Sequence, residues 1–261
     1  MTPLHYAASF NQLEAVKCLV TEFNCDPTCR DSRGNTPLHC ATGNGHIKII
    51  KFFLSNSALN PDIVNSEQLT LMHFACMYGE AKTTEYLLEK YSSLFFSIDK
   101  YGRTPVFYLM KMGSLEILKS AIKNNPNFEK TQRDKNNFTL LHCAAMFGQL
   151  NIMRYLIQDL SCDPNIPTVS GDTPLHIACY NGHKNVGNYL VATAKCKMLP
   201  TNDGAYPIHL AAENGQLEVF KWLTLDLKLD PLSRDNNGKT PFHYAATNMH
   251  YNIIQFGLET L

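Results

Sequence analysis

A four-residue motif returns eight times along this chain of 261 residues, and the interval between copies hardly changes. The copies begin at Thr2, Thr36, Thr70, Thr104, Thr139, Thr173, Tyr206 and Thr240. Thr36-Pro37-Leu38-His39 and Thr173-Pro174-Leu175-His176 show the full form, whereas Thr104-Pro105-Val106-Phe107 departs from it. Successive starts lie 34, 34, 34, 35, 34, 33 and 34 residues apart. A unit that short cannot enclose a core alone. It must bury its apolar face on its neighbours, which restricts the fold to a stacked array.

Each unit follows one local grammar. Thr before Pro predicts a helix start, the hydroxyl serving as a cap and Pro fitting the first helical position. Small residues follow, as in Ala7-Ala8, Ala144-Ala145 and Ala211-Ala212, and let neighbouring helices approach closely. Gly45, Gly79, Gly113, Gly148, Gly182 and Gly215 are placed to stop this helix in a left-handed conformation. A second helix is read from apolar residues at helical spacing, such as Leu150, Ile152, Met153, Tyr155 and Leu156. A polar turn then leads into the next motif: Asp31-Ser32-Arg33-Gly34, Asp99-Lys100-Tyr101-Gly102 or Asp235-Asn236-Asn237-Gly238. Its Gly fits a positive φ, for which Asn137 is a tolerable substitute and Gln68 a poorer one.

Motif, period, Gly position and turn together resemble the ankyrin repeat over essentially the whole chain. The resemblance implies an all-α solenoid: helix-turn-helix units with projecting hairpin-like fingers, residues 1–261 forming a single array. At roughly 8 to 10 Å per packed layer, eight units make a curved stack on the order of 70 Å long. The fourth repeat departs most, with Phe107 for His and Leu109-Met110 for the small pair. Its bulk is expected to push neighbouring helices apart or reorient them, and Asn124-Asn125-Pro126-Asn127 adds a residue before the next finger. The array is also expected to be cut from a longer chain. No finger precedes Thr2, and the last helix displays Tyr251, Ile253, Ile254, Phe256 and Leu258. Self-association through such uncapped terminal repeats follows as an expectation.

Charge excludes some partners. The 23 basic residues equal the 23 acidic ones, split 13 against 12 up to Lys130 and 10 against 11 beyond it. Nucleic acid is therefore not the expected partner. No apolar run approaches the roughly 18 to 20 residues of a membrane-spanning helix, so no membrane insertion is expected. Nine cysteines is an odd number. Cys40 and Cys143 share one repeat position, and Cys76 and Cys179 another, where a small buried residue is wanted. Reduced thiols imply an intracellular location, cytoplasmic or nuclear.

Several motifs look chemical. His5, His39, His73, His142, His176, His209 and His243 all occupy the repeat motif, where the resemblance implies a structural hydrogen-bonding role. His183 and His46 follow the first-helix Gly, His250 takes the same loop position after Met249, and His183 reads as structural or solvated. Adjacent pairs such as His142-Cys143 point about 100° apart on a helix, and the paired Cys spacings of zinc modules are missing, so no metal is expected. Gly238-Lys239-Thr240 lacks the earlier Gly of a phosphate loop, since position 233 is Ser233. Asn137-Phe138-Thr139 matches a glycosylation acceptor in form only, within a finger turn. No catalytic residue and no cofactor is expected, and the chain is read as a non-enzyme.

The resemblance places partner binding on finger tips and on the exposed face of the first helix. These are the residues three and one before the motif Thr, and seven and eight after it. Apolar side chains cluster there in the third to fifth repeats, with Tyr180 at the edge: Leu69, Met77, Tyr78, Tyr101, Met112, Phe138, Met146, Phe147 and Tyr180. The corresponding sites of the last two repeats include Asp203, Glu213, Asn214, Asn237 and Asn248. The expected function is a protein-interaction scaffold or adaptor binding another protein there. The alternative is a regulatory or targeting region of a larger enzyme, channel or receptor.

Overall fold

A computed structural model describes residues 1–55, 59–79, 81–125 and 128–260. Among these the structure is helical and without strands. The chain divides into two compact units, Met1–Phe128 and Glu129–Leu261.

The first unit holds four helix pairs: α1 (Pro3–Ser9) with α2 (Leu13–Thr21), α3 (Pro37–Gly43) with α4 (Ile47–Ser55), α5 (Leu71–Tyr78) with α6 (Ala81–Lys90), and α7 (Pro105–Met112) with α8 (Leu115–Lys123). A 3₁₀ turn, Ser92–Phe96, follows α6. The second unit holds α9 (Leu140–Met146) with α10 (Leu150–Arg154), α11 (Pro174–Tyr180) with α12 (Lys184–Ala192), α13 (Pro207–Glu213) with α14 (Leu217–Lys221), and α15 (Pro241–Thr247) with α16 (Tyr251–Thr260). Both α10 and α14 widen into a π turn, Tyr155–Asp159 and Trp222–Asp226.

First helices pack side by side, α1 on α3 on α5 on α7 and α9 on α11 on α13 on α15. The first helices of the first unit bury Ala8, Ala41 and Ala75, and those of the second bury Ala144, Ala178, Ala211 and Ala245, all fully. Small side chains there let the backbones close up, so helices of seven or eight residues gain from neighbours the stability they lack alone. Leu109 and Met110 are fully buried, and α7 packs on α5 as closely as α15 does on α13. The expected splaying is therefore not seen on that side. The added residue among Asn124–Asn127 falls partly on residues 126 and 127, outside the described residues.

Each finger is closed by one repeated turn. Asp31 N–H donates to Asn35 O at 2.9 Å, Gly34 N–H donates to Asp31 O at 2.9 Å, and Asp31 Oδ1 accepts from Arg33 and Asn35 N–H. Asn65, Asp99, Asp134 and Asp235 repeat the side-chain clasp. Gln68 and Asn137 take the Gly position at φ 61° and 58°, so both substitutes adopt the left-handed conformation. Neighbouring fingers are joined by single backbone bonds: Ser66 N–H to Arg33 O and Lys100 N–H to Glu67 O in the first unit, and Asn202 N–H to Ser170 O and Asn236 N–H to Asp203 O in the second.

Of the six glycines after the first helices, five have positive φ. Gly79 is the exception, with φ −71° and ψ 159°. What it needs is room: a Cβ there would stand 2.8 Å from Ala75 O. The apolar row expected on the last helix is only partly displayed, since Ile253 and Phe256 are buried while Tyr251 and Leu258 are exposed. Gly257 makes this closeness possible, because a Cβ would meet the Phe242 ring at 2.4 Å.

Candidate functional site

The motif histidines form a relay. In the fifth repeat, His142 Nδ1 accepts from Thr139 N–H at 3.1 Å, and Thr139 Oγ1 lies 2.9 Å from the same nitrogen. A nitrogen that accepts a backbone N–H carries no proton, so the proton sits on Nε2, which donates to Asp172 O at 3.0 Å. His39 reaches Leu69 O, His73 reaches Arg103 O and His176 reaches Ala205 O in the same way. In the seventh repeat Tyr206 N–H replaces the Thr donor, and His209 reaches Ser233 O at 3.1 Å. Burial pulls His39 and His142 down to about 4 and lowers His73, His176 and His209. These rings are neutral near pH 7 with both nitrogens engaged, which suits a tie and not proton transfer.

His46, His183 and His250 form a second set running backwards. Each places Nε2 at 2.8–3.0 Å from a carbonyl at the end of the preceding first helix: Ser9 O, Met146 O and Glu213 O. Among the described residues no cluster of three or more His, Cys, Asp or Glu could hold a metal ion. Cys40, Cys76, Cys143 and Cys179 are buried, and burial pushes the Cys76 and Cys179 thiols up.

In the first unit, Tyr78 at the end of α5 is 61% exposed and Tyr101 on its finger is 45% exposed. Met77 and Met112 are half-buried. Leu69 is a correction: its side chain is buried, its N–H donates to Asn65 Oδ1 and its carbonyl accepts from His39. It holds the finger and offers a partner little surface. Tyr78, Met77 and Tyr101 edge a groove of about 650 Å³ whose floor includes Phe74 and Tyr108. The Phe74 ring stands edge-on to His39 at 5.0 Å and to Tyr78 at 6.1 Å, and the Tyr108 hydroxyl donates to Asp99 Oδ2.

In the second unit, Met146, Phe147 and Tyr180 are partly exposed, at 36%, 37% and 38%. Phe138 is half-buried, its ring 4.9 Å from that of His142, and it edges a groove of about 380 Å³ beside Ile177. Tyr180 belongs to another groove of about 390 Å³, with Ile177, Leu210 and Tyr244 between the carboxylates of Asp172, Asp203 and Glu213. Burial, with the charge of Asp172 beside it, raises the Glu213 carboxyl. Tyr244 donates from its hydroxyl to Asp235 Oδ2 at 2.7 Å.

Sequence reasoning missed the residue four after the motif start. Phe74, Tyr108, Ile177, Leu210 and Tyr244 all occupy that position and all line grooves. Tyr6 occupies it too, 55% exposed and stacked parallel on Phe10 with ring centroids 6.4 Å apart. The signal was available, since positions four and eight share a helix face. The meeting of Asp172, Asp203 and Glu213 in one groove was also missed, because two come from fingers and one from α13.

Comparison with known proteins adds the following. A family model described as ankyrin repeats (3 copies) matches residues 1–65, 56–134, 91–168, 110–201, 160–234 and 194–258. The chain is 30% identical over 106 residues to the human transient receptor potential cation channel subfamily A member 1, covering 40% of this chain and 9% of the channel. It is 32% identical over 124 residues to the Arabidopsis thaliana probable protein S-acyltransferase 23, covering 47% of this chain and 23% of that protein. It is 33% identical over 82 residues to the Dictyostelium discoideum 26S proteasome non-ATPase regulatory subunit 10, covering 31% of this chain and 35% of the subunit.

Proposed function

Because this chain belongs to the ankyrin-repeat family, we propose that it is a scaffold or adaptor that holds a partner protein on the finger and first-helix side of its repeats. Repeats of this family are generally protein-interaction modules. The observation that carries the reading is side-chain exposure at the first-helix ends: Tyr78, Met146, Phe147 and Tyr180 stand 36–61% exposed there. Tyr, Phe and Met are types enriched at interface centres, where a few anchors supply most of the binding energy. Met77, Tyr101 and Met112 extend the set in the first unit and Phe138 in the second.

On this reading the chain carries no catalysis of its own and uses no cofactor, in keeping with motif imidazoles committed to backbone ties. An intracellular setting fits the buried thiols of Cys40, Cys76 and Cys179 at their repeat positions. No helix among the described residues is long and apolar enough to cross a membrane. Met249, Tyr251 and Leu258, each at least 72% exposed, are the side chains through which a second copy would pair.

The relatives support a second reading. The chain spans 9% of the similar channel and 23% of the similar acyltransferase, so it also fits a regulatory or targeting region of a larger protein. The test common to both is an alanine scan against a partner recovered with the intact chain, read by calorimetry after folding is confirmed. Tyr78→Ala and Phe147→Ala should each weaken binding by about tenfold to a hundredfold, the scale of one buried large side chain. Asn248→Ala should change little. Losses confined to the second helices of the pairs would overturn the reading.

A further inference from the structure

We propose that the groove of the second unit takes a basic segment of a partner protein, one carrying arginine or lysine about three residues from an apolar anchor. The proposal deepens the interaction reading above and rests on it. Ile177, Tyr180, Leu210 and Tyr244 give the groove its apolar lining, and Asp172, Asp203 and Glu213 edge it. Asp203 is exposed, whereas Asp172 and Glu213 are half-buried. Asp172 Oδ2 accepts from the Ser170 hydroxyl. The carboxylates of Asp203 and Glu213 have no hydrogen-bond or ion-pair partner among the described residues.

No lysine or arginine lines the groove. Beyond the lining, exposed Lys239 holds its Nζ 6.0 Å from the Tyr244 ring centroid, in no ion pair, and partly offsets the negative charge. Arg234 commits Nη1 to Gly238 O within its own finger. Burial, with the charge of Asp172, raises the Glu213 carboxyl. Burial, then Asp235, then the charges of Glu213 and Asp203 raise the Tyr244 hydroxyl. Like charge is therefore crowded against the rings, and an incoming cation relieves that crowding.

The chemistry that fits is a long cationic side chain. Its stem packs on the rings while its head reaches the carboxylates, and the flat guanidinium of arginine suits both. The three carboxylates do not converge on one point, since among the described residues no such group could hold a metal ion. Nucleic acid meets like charge there. The groove beside Phe138 shares Ser170, Asp172 and Ile177 with this one, so the two run on as one track within the unit. That track is apolar at the Phe138 end and acidic at the other. Neighbouring repeats stack roughly 10 Å apart, a span that about three residues of extended chain cover. An extended segment with its anchor beside Phe138 thus brings its cation to Asp203 and Glu213.

The experiment is selection of a displayed random-peptide library on the full chain, followed by calorimetry with the enriched peptides. Enriched sequences should be net basic, with Phe, Tyr, Trp or Leu about three positions from Arg or Lys. Their affinity should fall about tenfold on raising salt from about 50 mM to about 500 mM. Asp203→Lys and Glu213→Lys should each weaken binding by about tenfold. Asp159→Lys, the same charge change in the turn after α10, should not. Lys239→Ala should tighten binding about threefold, because a competing cation is removed. All variants are first shown to melt as the parent does. Where a reversal does not, Asp203→Asn or Glu213→Gln replaces it, with an expected loss of about threefold.

Neutral or acidic enriched peptides whose binding is abolished by Tyr180→Ala would overturn the basic-segment proposal and leave the interaction reading standing. Basic peptides indifferent to both charge reversals would overturn it too. Spermine displacing the best peptide at equal concentration would reassign the groove to small polycations. No enrichment at all would count against both proposal and interaction reading.

Discussion

His142 is tied to the main chain of Asp172, thirty residues further on, by a hydrogen bond of 3.0 Å from Nε2, while Nδ1 holds the start of its own helix at Thr139. One neutral ring therefore pairs the open amide at a helix N-terminus and adds a second donor to a finger carbonyl that already accepts from Thr168 N–H.

Replacing His142 by Ala leaves the Thr139 N–H unpaired, takes from Asp172 O its second donor and opens a void at a site of 0% exposure. The expected cost is about 2–4 kcal/mol in urea unfolding, since buried unsatisfied groups and a lost core side chain add. His142→Gln, which can donate to the carbonyl alone, should recover part of it. A loss under about 0.5 kcal/mol would mean the ties contribute little.

Acid should loosen the array before carboxylates titrate in bulk. Burial holds His39 and His142 at about 4, below the ordinary 6.5, and lowers His73, His176 and His209. The unfolded chain therefore binds more protons between these values. Stability from the neutral rings is full above about pH 6.5 and is lost as pH falls toward 4. The urea midpoint should drop steadily from pH 7 to pH 4.5; a midpoint that rose on acidification to pH 5 would contradict this sign.

Gly148 is constrained twice, by φ 67° and by a neighbour. A Cβ on it would stand 2.6 Å from His183 Nδ1. Gly148→Ala should cost about 1–3 kcal/mol. Combining it with His183→Ala should recover the steric part and leave the backbone part, which a double-mutant cycle reads directly.

Two cooperative units should appear in unfolding. Each unit carries its own packed first helices and its own histidine ties, and Phe107, in the fourth repeat, has no ring nitrogen with which to form one. Calorimetry of the full chain should show two transitions, or one whose van't Hoff enthalpy falls short of the calorimetric value. Phe95, fully buried in the first unit, gives a selective probe. Phe95→Ala should lower one transition and leave the other in place.

The fold was readable because its determinants are local and repeated. Thr, Pro, His and Gly each fix a backbone feature within a few residues, and eight copies remove the ambiguity of one. The misreadings arose where a residue's setting comes from elsewhere. Gly79 follows a first helix as Gly148 does, yet has an extended backbone, and what it avoids is the carbonyl of Ala75. Leu69 sits at a nominally exposed finger position but is folded under by the turn at Asn65. Tyr108 and Tyr244 were overlooked because the positions read were those the resemblance supplied, whereas helix periodicity alone puts them on the groove side. The acidic rim of the second unit forms only in the folded chain, because its carboxylates come from separate fingers and a helix.

The acceptor of each relay bond is a peptide carbonyl, and five such carbonyls belong to Asn35, Leu69, Arg103, Asp172 and Ala205. An amide, an aliphatic chain, a cation, an anion and a methyl group thus sit at one stacking joint without altering its chemistry. The joint therefore constrains the main chain at this position and not the side chain, whether that side chain is buried, as in Leu69 and Ala205, or half-exposed, as in Arg103 and Asp172. Side-chain identity can drift here while the tie between repeats keeps its form.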